Sequence, residues 1–328
     1  DLYLNYDLQN KMPEKFSLKL NYEESYNFIL SIALRLYTGS EKKISLDFSS
    51  CKYTDVATCF FLKVVIDEYL SYLQSLQRKL SYYDVTKSVD IIYSKSNNVN
   101  ILLLVLGLIR RASDKDVELK PIMGTGMMKG NKKLNQYQKN TKSLVTSRIV
   151  NFFKECILRH GFEITPLGIN NLEGIITEIL NNCEDHGHTM PWFATGVFFE
   201  QGLDKETVGE LNINIFNFGD SIYDGFEKTK HDNKVIYEDL EKTHNFISEN
   251  YQHEFSRESL FTLYSLQDGI SRLKYDSESR GSGTMKFITS FIEIGDYENP
   301  IKDLIPDLTI LSGKSKLICT KKYKPFQI

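Results

Sequence analysis

Apolar residues recur at helical spacing through Leu172, Ile175, Ile176, Ile179 and Leu180, and the run ends in Glu178-Ile-Leu-Asn-Asn-Cys-Glu-Asp-His186. A helix with one apolar face must dock that face on a sheet or on other helices. Glu178, Asn182 and His186 stand four residues apart, so a helix stacks their side chains in one stripe, about one turn between each. A carboxylate in such a stripe can polarise a water or a hydroxyl, and an amide oxygen is a hard ligand suited to Mg²⁺. The same spacing also describes an ordinary solvated face carrying Glu and Asn, so the rest of the chain must decide.

The 328 residues leave room for two domains of ordinary size. The chain is 41% hydrophobic and 25% charged, a globular balance. A net charge of −3 creates no global field toward nucleic acid or anionic membrane, and neither partner is expected. No apolar run reaches the length of a membrane span; the longest, Ile101 to Ile109, is core-sized. Cys51, Cys59, Cys156, Cys183 and Cys319 form no CxxC and read as reduced thiols. Cys183 suits a small buried apolar position. The start, Asp1-Leu-Tyr-Leu-Asn-Tyr6, carries no signal peptide, and a cytoplasmic location is expected.

The first half alternates strand and helix signals. Lys43 to Phe48 has strand periodicity, Ala57 to Lys79 reads as a helix with Phe60, Phe61, Val64, Val65, Tyr69 and Leu73 inward, Val89 to Tyr93 as a strand, and Asn100 to Arg110 as a helix. This order makes a small α/β unit. Its centre, Ile44-Ser-Leu-Asp-Phe-Ser-Ser-Cys-Lys-Tyr-Thr-Asp-Val-Ala-Thr58, resembles a STAS domain, the fold of anti-sigma-factor antagonists, over about residues 15–115. In that family a Ser after the Asp is the phosphoacceptor. Here Asp55 is followed by Val56, which has no hydroxyl, and Thr58 has the look of a structural helix-start residue. The resemblance implies an interaction scaffold rather than a phospho-switch.

Polar residues from Ala112 and the run Gly124-Thr-Gly-Met-Met-Lys-Gly130 read as a linker. Gly124, Thr125 and Gly126 with Lys129 suggest a phosphate loop only faintly, because the Gly-Lys-Ser/Thr ending is missing; an ordered interdomain loop is the better reading. Beyond it, Ser147 to His160 reads as a helix with Ile149, Val150, Phe153, Cys156 and Ile157 inward and Gly161 as its stop. Phe193 to Gln201 and Leu211 to Phe218 are strand-like and suit an antiparallel pair. Residues 223–279 are charged and mostly helical in pattern, Gly283 to Ile292 reads as a helix, and Leu308 to Leu311 with Lys316 to Thr320 as a hairpin around Ser312-Gly-Lys-Ser315.

Glu178-x-x-x-Asn182 followed by Asp185-His186-Gly187 resembles the N-box of the GHKL (Bergerat-fold) ATPases and kinases, most of all the anti-sigma-factor serine kinases. Two further boxes follow in the order of that family. In Asn217-Phe-Gly219-Asp-Ser221, Asn217 stands for the family's adenine-binding Asp, and only Gly219 of the two glycines is kept. In Arg280-Gly281-Ser-Gly283-Thr284, a glycine turn opens a helix whose backbone N–H groups can hold phosphates. The resemblance implies a Bergerat α/β sandwich at 147–328 with an ATP lid at 223–279, a linker at 116–146 and the STAS-like domain at 1–115. It implies ATP and Mg²⁺ as ligands, Asn182 on Mg²⁺, Glu178 as base, and Asp185 and His186 as further nucleotide-side residues. Asn217 can still accept from adenine through its side-chain oxygen, though a neutral acceptor binds more weakly than a charged one. Arg280 would add charge and Thr284 a hydroxyl at the phosphates. His186 and His188 also form His-x-His, a thin signal for Zn²⁺ without further ligands.

Three functions fit: an ATPase switch acting on a protein partner, a protein serine/threonine kinase acting on a STAS-like or neighbouring-gene partner, and a non-catalytic ATP-sensing adaptor. The first is preferred, because Glu178 equips the site for chemistry. A homodimer is expected by analogy alone. The helical stripe Leu260, Leu263, Leu266 and Ile270 is expected to pack the lid on the core, with a partner groove as the alternative.

Overall fold

The computed structural model describes residues 11–38, 43–79, 88–112, 119–132, 141–187, 190–203, 206–232, 234–251, 256–265 and 308–319. Helices and strands are mixed along the chain, which places it in the α/β class. By contact density it divides into two compact units. One comprises Asp1–Met128, Asn151–Glu163 and Phe193–Asn214; the other comprises Lys129–Val150, Ile164–Trp192 and Ile215–Ile328. Among the described residues, no helix is long and apolar enough to cross a membrane.

In the first unit, β1 (Lys15–Phe16) runs parallel to β3 (Tyr53–Thr54), and β2 (Lys43–Asp47) runs parallel to β4 (Ser88–Ile92). A parallel pair needs a crossover, and α2 (Val56–Lys79) lies between β2 and β4 in the chain. Helix α1 (Tyr22–Thr38) packs on α2. Phe16, Ile29, Ile32, Leu46, Phe48, Phe60, Leu62, Val64 and Tyr69 are buried, so the helix read at Ala57 to Lys79 and the strand at Lys43 to Phe48 lie as the periodicity requires.

Helix α3 (Asn97–Val105) is shorter than the expected Asn100 to Arg110. Gly107, at φ +71°, stops it: Leu108 N–H reaches Leu103 O (2.8 Å) and Gly107 N–H reaches Leu104 O (2.9 Å). That pair of hydrogen bonds across a left-handed glycine is a Schellman ending.

The segment expected as a linker carries β5 (Leu119–Gly124) and β6 (Met128–Gly130). β5 pairs antiparallel with β7 (Trp192–Leu203), from Leu119 opposite Gln201 to Gly124 opposite Val197. β6 and β8 (Glu206–Asn217) also pair with β7, completing a four-stranded sheet. Pro121 and three nearby glycines disguise β5 and β6 as a loop. A strand tolerates Pro121 here because the register shifts between Pro121 and Met123.

Helix α4 (Thr141–Arg159) starts six residues before the expected Ser147. It ends as expected: Gly161 sits at φ +78°, with Phe162 N–H on Ile157 O and Gly161 N–H on Leu158 O. Its buried aromatic is Phe152, while Phe153 is only half-buried. Phe152 packs with Cys156 and Phe198, and a Cβ on Gly196 would stand 2.6 Å from its ring, so the missing side chain makes room for the aromatic.

In the second unit, α5 (Pro166–Gly187) is followed later in the chain by α6 (Ile222–Thr229), α7 (Lys234–Asn250) and α8 (Arg257–Ser265). The antiparallel hairpin of β9 (Leu308–Ser312) and β10 (Ser315–Cys319) packs on α8. Gly313 supplies its turn at φ +56°.

Candidate functional site

Helix α5 begins at a built start: Thr165 Oγ1 accepts the Gly168 N–H (3.1 Å), and Pro166 takes the first helical position, where its missing N–H costs nothing. Leu172, Ile175, Ile176, Leu180 and Cys183 form the buried face, and Ile179 is half-buried at its edge. Burial, then the neighbouring Glu184 charge, pushes the Cys183 thiol up to about 12. It is a core residue, as its position suggested.

Two polar borders flank that face. At 100° per residue, Glu184 lies on one side and Asn182 on the other. The Glu184 border is tied down. Glu184 is 7% exposed. Its Oε1 accepts from Trp192 Nε1 (3.1 Å) and its Oε2 from Lys142 Nζ (3.2 Å), while Lys142 also donates to Asn181 Oδ1 (2.5 Å). A buried carboxylate without such partners would be costly, so Glu184, Lys142 and Trp192 form a brace joining α5 to the first turn of α4 and the first residue of β7. Asp185 points outward and pairs with Lys132 at 3.2 Å, both more than 40% exposed, an ion pair of little energetic weight.

The other border is free. Glu178 and Asn182 are half-buried, and neither has a side-chain hydrogen bond or ion pair among the described residues. His186 belongs to the last turn of α5, but its side chain, like His188, lies outside the described residues.

The second box meets this helix. Asn217 is the last residue of β8, half-buried, and a Cβ on Gly187 would stand 3.4 Å from its Nδ2. The carboxamide therefore lies over the backbone at the end of α5. It too has no side-chain hydrogen bond among the described residues. Gly219 is exposed. Ser221, at the place of the family's second glycine, caps α6: its Oγ accepts the Asp224 N–H (3.0 Å), and Asp224 Oδ2 accepts the Ser221 N–H (3.2 Å). The Ser-x-x-Asp pattern announces this capping box, a signal hidden by reading the segment as a glycine box. Arg280, Gly281, Gly283 and Thr284 lie outside the described residues, as does the helix expected at Gly283 to Ile292.

The described part of the expected lid forms its own core. Phe226, Ile236, Leu240 and Phe261 are buried together. Phe261 makes edge contacts with Tyr223 (5.3 Å) and Tyr237 (5.7 Å), and Arg257 lies 5.1 Å over its ring. Arg257 also pairs with Glu241 and with Glu227 (3.2 Å), whose carboxylate accepts from Tyr237 OH (2.8 Å). Burial pushes the Glu227 carboxyl up, but hydrogen bonds from Tyr237 and Tyr223 and the Arg257 charge outweigh it and hold the group below its ordinary range. The hairpin is tied to these helices: Ser312 Oγ accepts the Ile222 N–H (2.8 Å) and Glu258 Oε1 the Lys314 N–H (2.7 Å). The expected inward stripe is corrected here. Leu260 is buried, but Leu263 is 46% exposed; Phe261 and Thr262 take its place, because the bulkier ring sets the inward face. Leu266 and Ile270 lie outside the described residues.

At the start of α2, Asp55 acts as the cap. Its Oδ1 accepts from Thr58 N–H and Thr58 Oγ–H (2.7 Å each), and Thr58 Oγ1 accepts the Leu18 N–H (2.7 Å). Thr58 is fully buried, and Val56 packs with Leu102, Val197 and Phe199. Neither position offers a hydroxyl to solvent. The Gly124-Thr125-Gly126 turn is likewise engaged: Thr125 N–H bonds to Gly196 O (2.9 Å), and Thr125 Oγ1 accepts the Gly196 N–H (2.8 Å). It is an ordered connection between β5 and β6, not an open cradle of N–H groups.

Among the described residues, no group of three or more His, Cys, Asp and Glu side chains is placed to hold a metal ion. Asn182 contributes one amide oxygen beside the Glu178 carboxylate. That donor set fits a hard cation that brings its remaining ligands as water and phosphate, as Mg²⁺ does, and not a protein-caged Zn²⁺. No protein-family model, no curated protein and no solved structure matches the chain.

Proposed function

We propose that the chain is a Mg-ATP-dependent ATPase of the GHKL type, in which nucleotide acts as a switch on a protein partner, with a STAS-like N-terminal domain and a Bergerat-type ATP-binding half. The observation that carries this reading is the meeting of two sequence-distant boxes: the Asn217 carboxamide lies against Gly187 at the end of the helix bearing Glu178 and Asn182. Glu178 and Asn182 on α5 and Asn217 at the end of β8 are each without a side-chain partner among the described residues, while Asn181 and Glu184 on the same helix serve the brace.

When bound, Mg²⁺ would neutralise phosphate charge and orient the terminal phosphoryl group. Asn182 would hold it through Oδ1. Glu178, one turn earlier, accepts the proton of an attacking water. The Glu184 brace fixes the rotation of α5, so that these two side chains keep their positions without reorganising. Asn217 contacts the base. The buried Val56 and the fully bonded Thr58 support hydrolysis over phosphoryl transfer to the chain's own N-terminal half.

The test uses the full chain with γ-labelled ATP and Mg²⁺. Phosphate release should occur and should be lost in Glu178→Ala and in Asn182→Ala. Full activity in Asn182→Ala sinks the site assignment. ATP binding without turnover, unchanged by Glu178→Ala, replaces the ATPase with an adaptor, and label moved to an added protein replaces it with a kinase.

A further inference from the structure

We infer that Asn217 makes the base site tolerant, so that the chain binds 6-oxo and 6-amino purine nucleotides, GTP as well as ATP, with similar affinity. The inference rests on the nucleotide reading of the α5 site and concerns which bases that site takes.

A carboxylate at this position could only accept hydrogen bonds. It would pair with the 6-amino group of adenine and repel the 6-oxo oxygen of guanine. Asn217 carries an acceptor and a two-hydrogen donor on one planar group. Its terminal torsion is broad and roughly two-fold, so a half-turn exchanges oxygen for nitrogen at one point in space. With Oδ1 forward it accepts from an amino group, and with Nδ2 forward it donates to an oxo group.

The surroundings leave that rotation open. A residue locked by its neighbours would present one face only, but Asn217 has no side-chain hydrogen bond among the described residues. Gly187, the backbone it lies over, has no side chain to wedge the amide: a Cβ there would already be in contact, at 3.4 Å from Nδ2 and 4.0 Å from the Asn217 Cβ. Phe216 and Phe218 pair edge to face at 5.8 Å. Phe216, the residue before Asn217 in β8, projects to the opposite face of the strand, so its ring does not hold the amide. Half-burial leaves the group reachable from solvent. One residue thus offers both hydrogen-bonding polarities at one place, and the site loses the electrostatic filter that a carboxylate would impose.

The experiment titrates the full chain in Mg²⁺ with fluorescent-labelled ATP and GTP, for wild type, Asn217→Asp and Asn217→Ser. Wild type should bind the two within about fivefold of each other. Asn217→Asp, isosteric but acceptor-only, should weaken GTP by about tenfold or more relative to ATP, the scale of one unsatisfied polar contact. Asn217→Ser, too short to reach the base, should weaken both together. Wild-type preference for ATP beyond about fiftyfold, or an ATP-to-GTP ratio unchanged in Asn217→Asp, overturns the inference while leaving nucleotide binding standing. Unchanged affinities in Asn217→Ser overturn the contact itself. Failure of wild type to bind either nucleotide overturns the reading beneath it, and the inference falls with it.

Discussion

Gly130→Ala tests the brace behind the candidate site. Gly130 ends β6 and is buried, and a Cβ added there would stand 2.7 Å from Trp192 Cε2 and 2.8 Å from Trp192 Cη2. Carbon atoms pack at about 3.5–4.0 Å, so the indole must retreat by roughly 1 Å. Trp192 is fully buried, with its Nε1 on Glu184 Oε1 at 3.1 Å. The retreat stretches that bond to about 4 Å, where it no longer counts. Overpacking of this kind costs about 1–3 kcal/mol, and a hydrogen bond to a charged group about 1.5–3 kcal/mol. Since relief of one worsens the other only partly, a loss of about 2–4 kcal/mol is expected. Trp192 is the one tryptophan of the chain, so its emission reports this environment alone. Urea unfolding followed by that emission should show an earlier midpoint and a red-shifted native spectrum. Adding Trp192→Phe removes both the clash and the Nε1 bond, so with unfolding followed by far-ultraviolet circular dichroism, which needs no tryptophan, the double variant should cost less than the sum of the singles. A midpoint and spectrum identical to wild type would refute the brace.

Two further expectations follow from the titrating groups. The Glu227 carboxyl is held below its ordinary range in the fold, so its contribution to stability is present at neutral pH and is lost as pH falls through its folded value; the gap between the urea midpoints of wild type and Glu227→Gln should be smaller at pH 3 than at pH 7, and an equal gap at the two would contradict this. Cys183 is buried with its thiol pushed up to about 12, so iodoacetamide at pH 8 should leave it unmodified until the chain is unfolded; labelling of the native chain at the denatured rate would remove it from the core.

Several parts of this fold are readable from periodicity. Helices α2 and α5, strand β2 and the β9–β10 hairpin lie within a few residues of where apolar spacing and glycine turns put them. The misses have local causes. Phe152 and Phe153 are adjacent, about 100° apart on a helix, and only the space above Gly196 decides between them. Phe261 displaces Leu263 from the inward face of α8 for the same kind of reason. β5 and β6 are hidden because one contains a proline and the pair is interrupted by glycines; their strand character comes from pairing with β7, which no local pattern records. The site was half legible. The Glu178 and Asn182 stripe is a matter of spacing. The brace is not, because Glu184 reads as one more acidic residue until Lys142 and Trp192 are brought to it.

The pairing of β5 with β7 encloses both α4 and α5 within one long chain loop. During synthesis β5 emerges first and waits for a partner roughly 80 residues later, about 4–16 s at ribosomal speed. Over that interval its backbone donors and acceptors are an open edge. A fragment started at residue 147, where the sequence invites a cut, would carry the opposite defect: β7 without the strand that covers it. Expression boundaries for the C-terminal half therefore belong before Leu119.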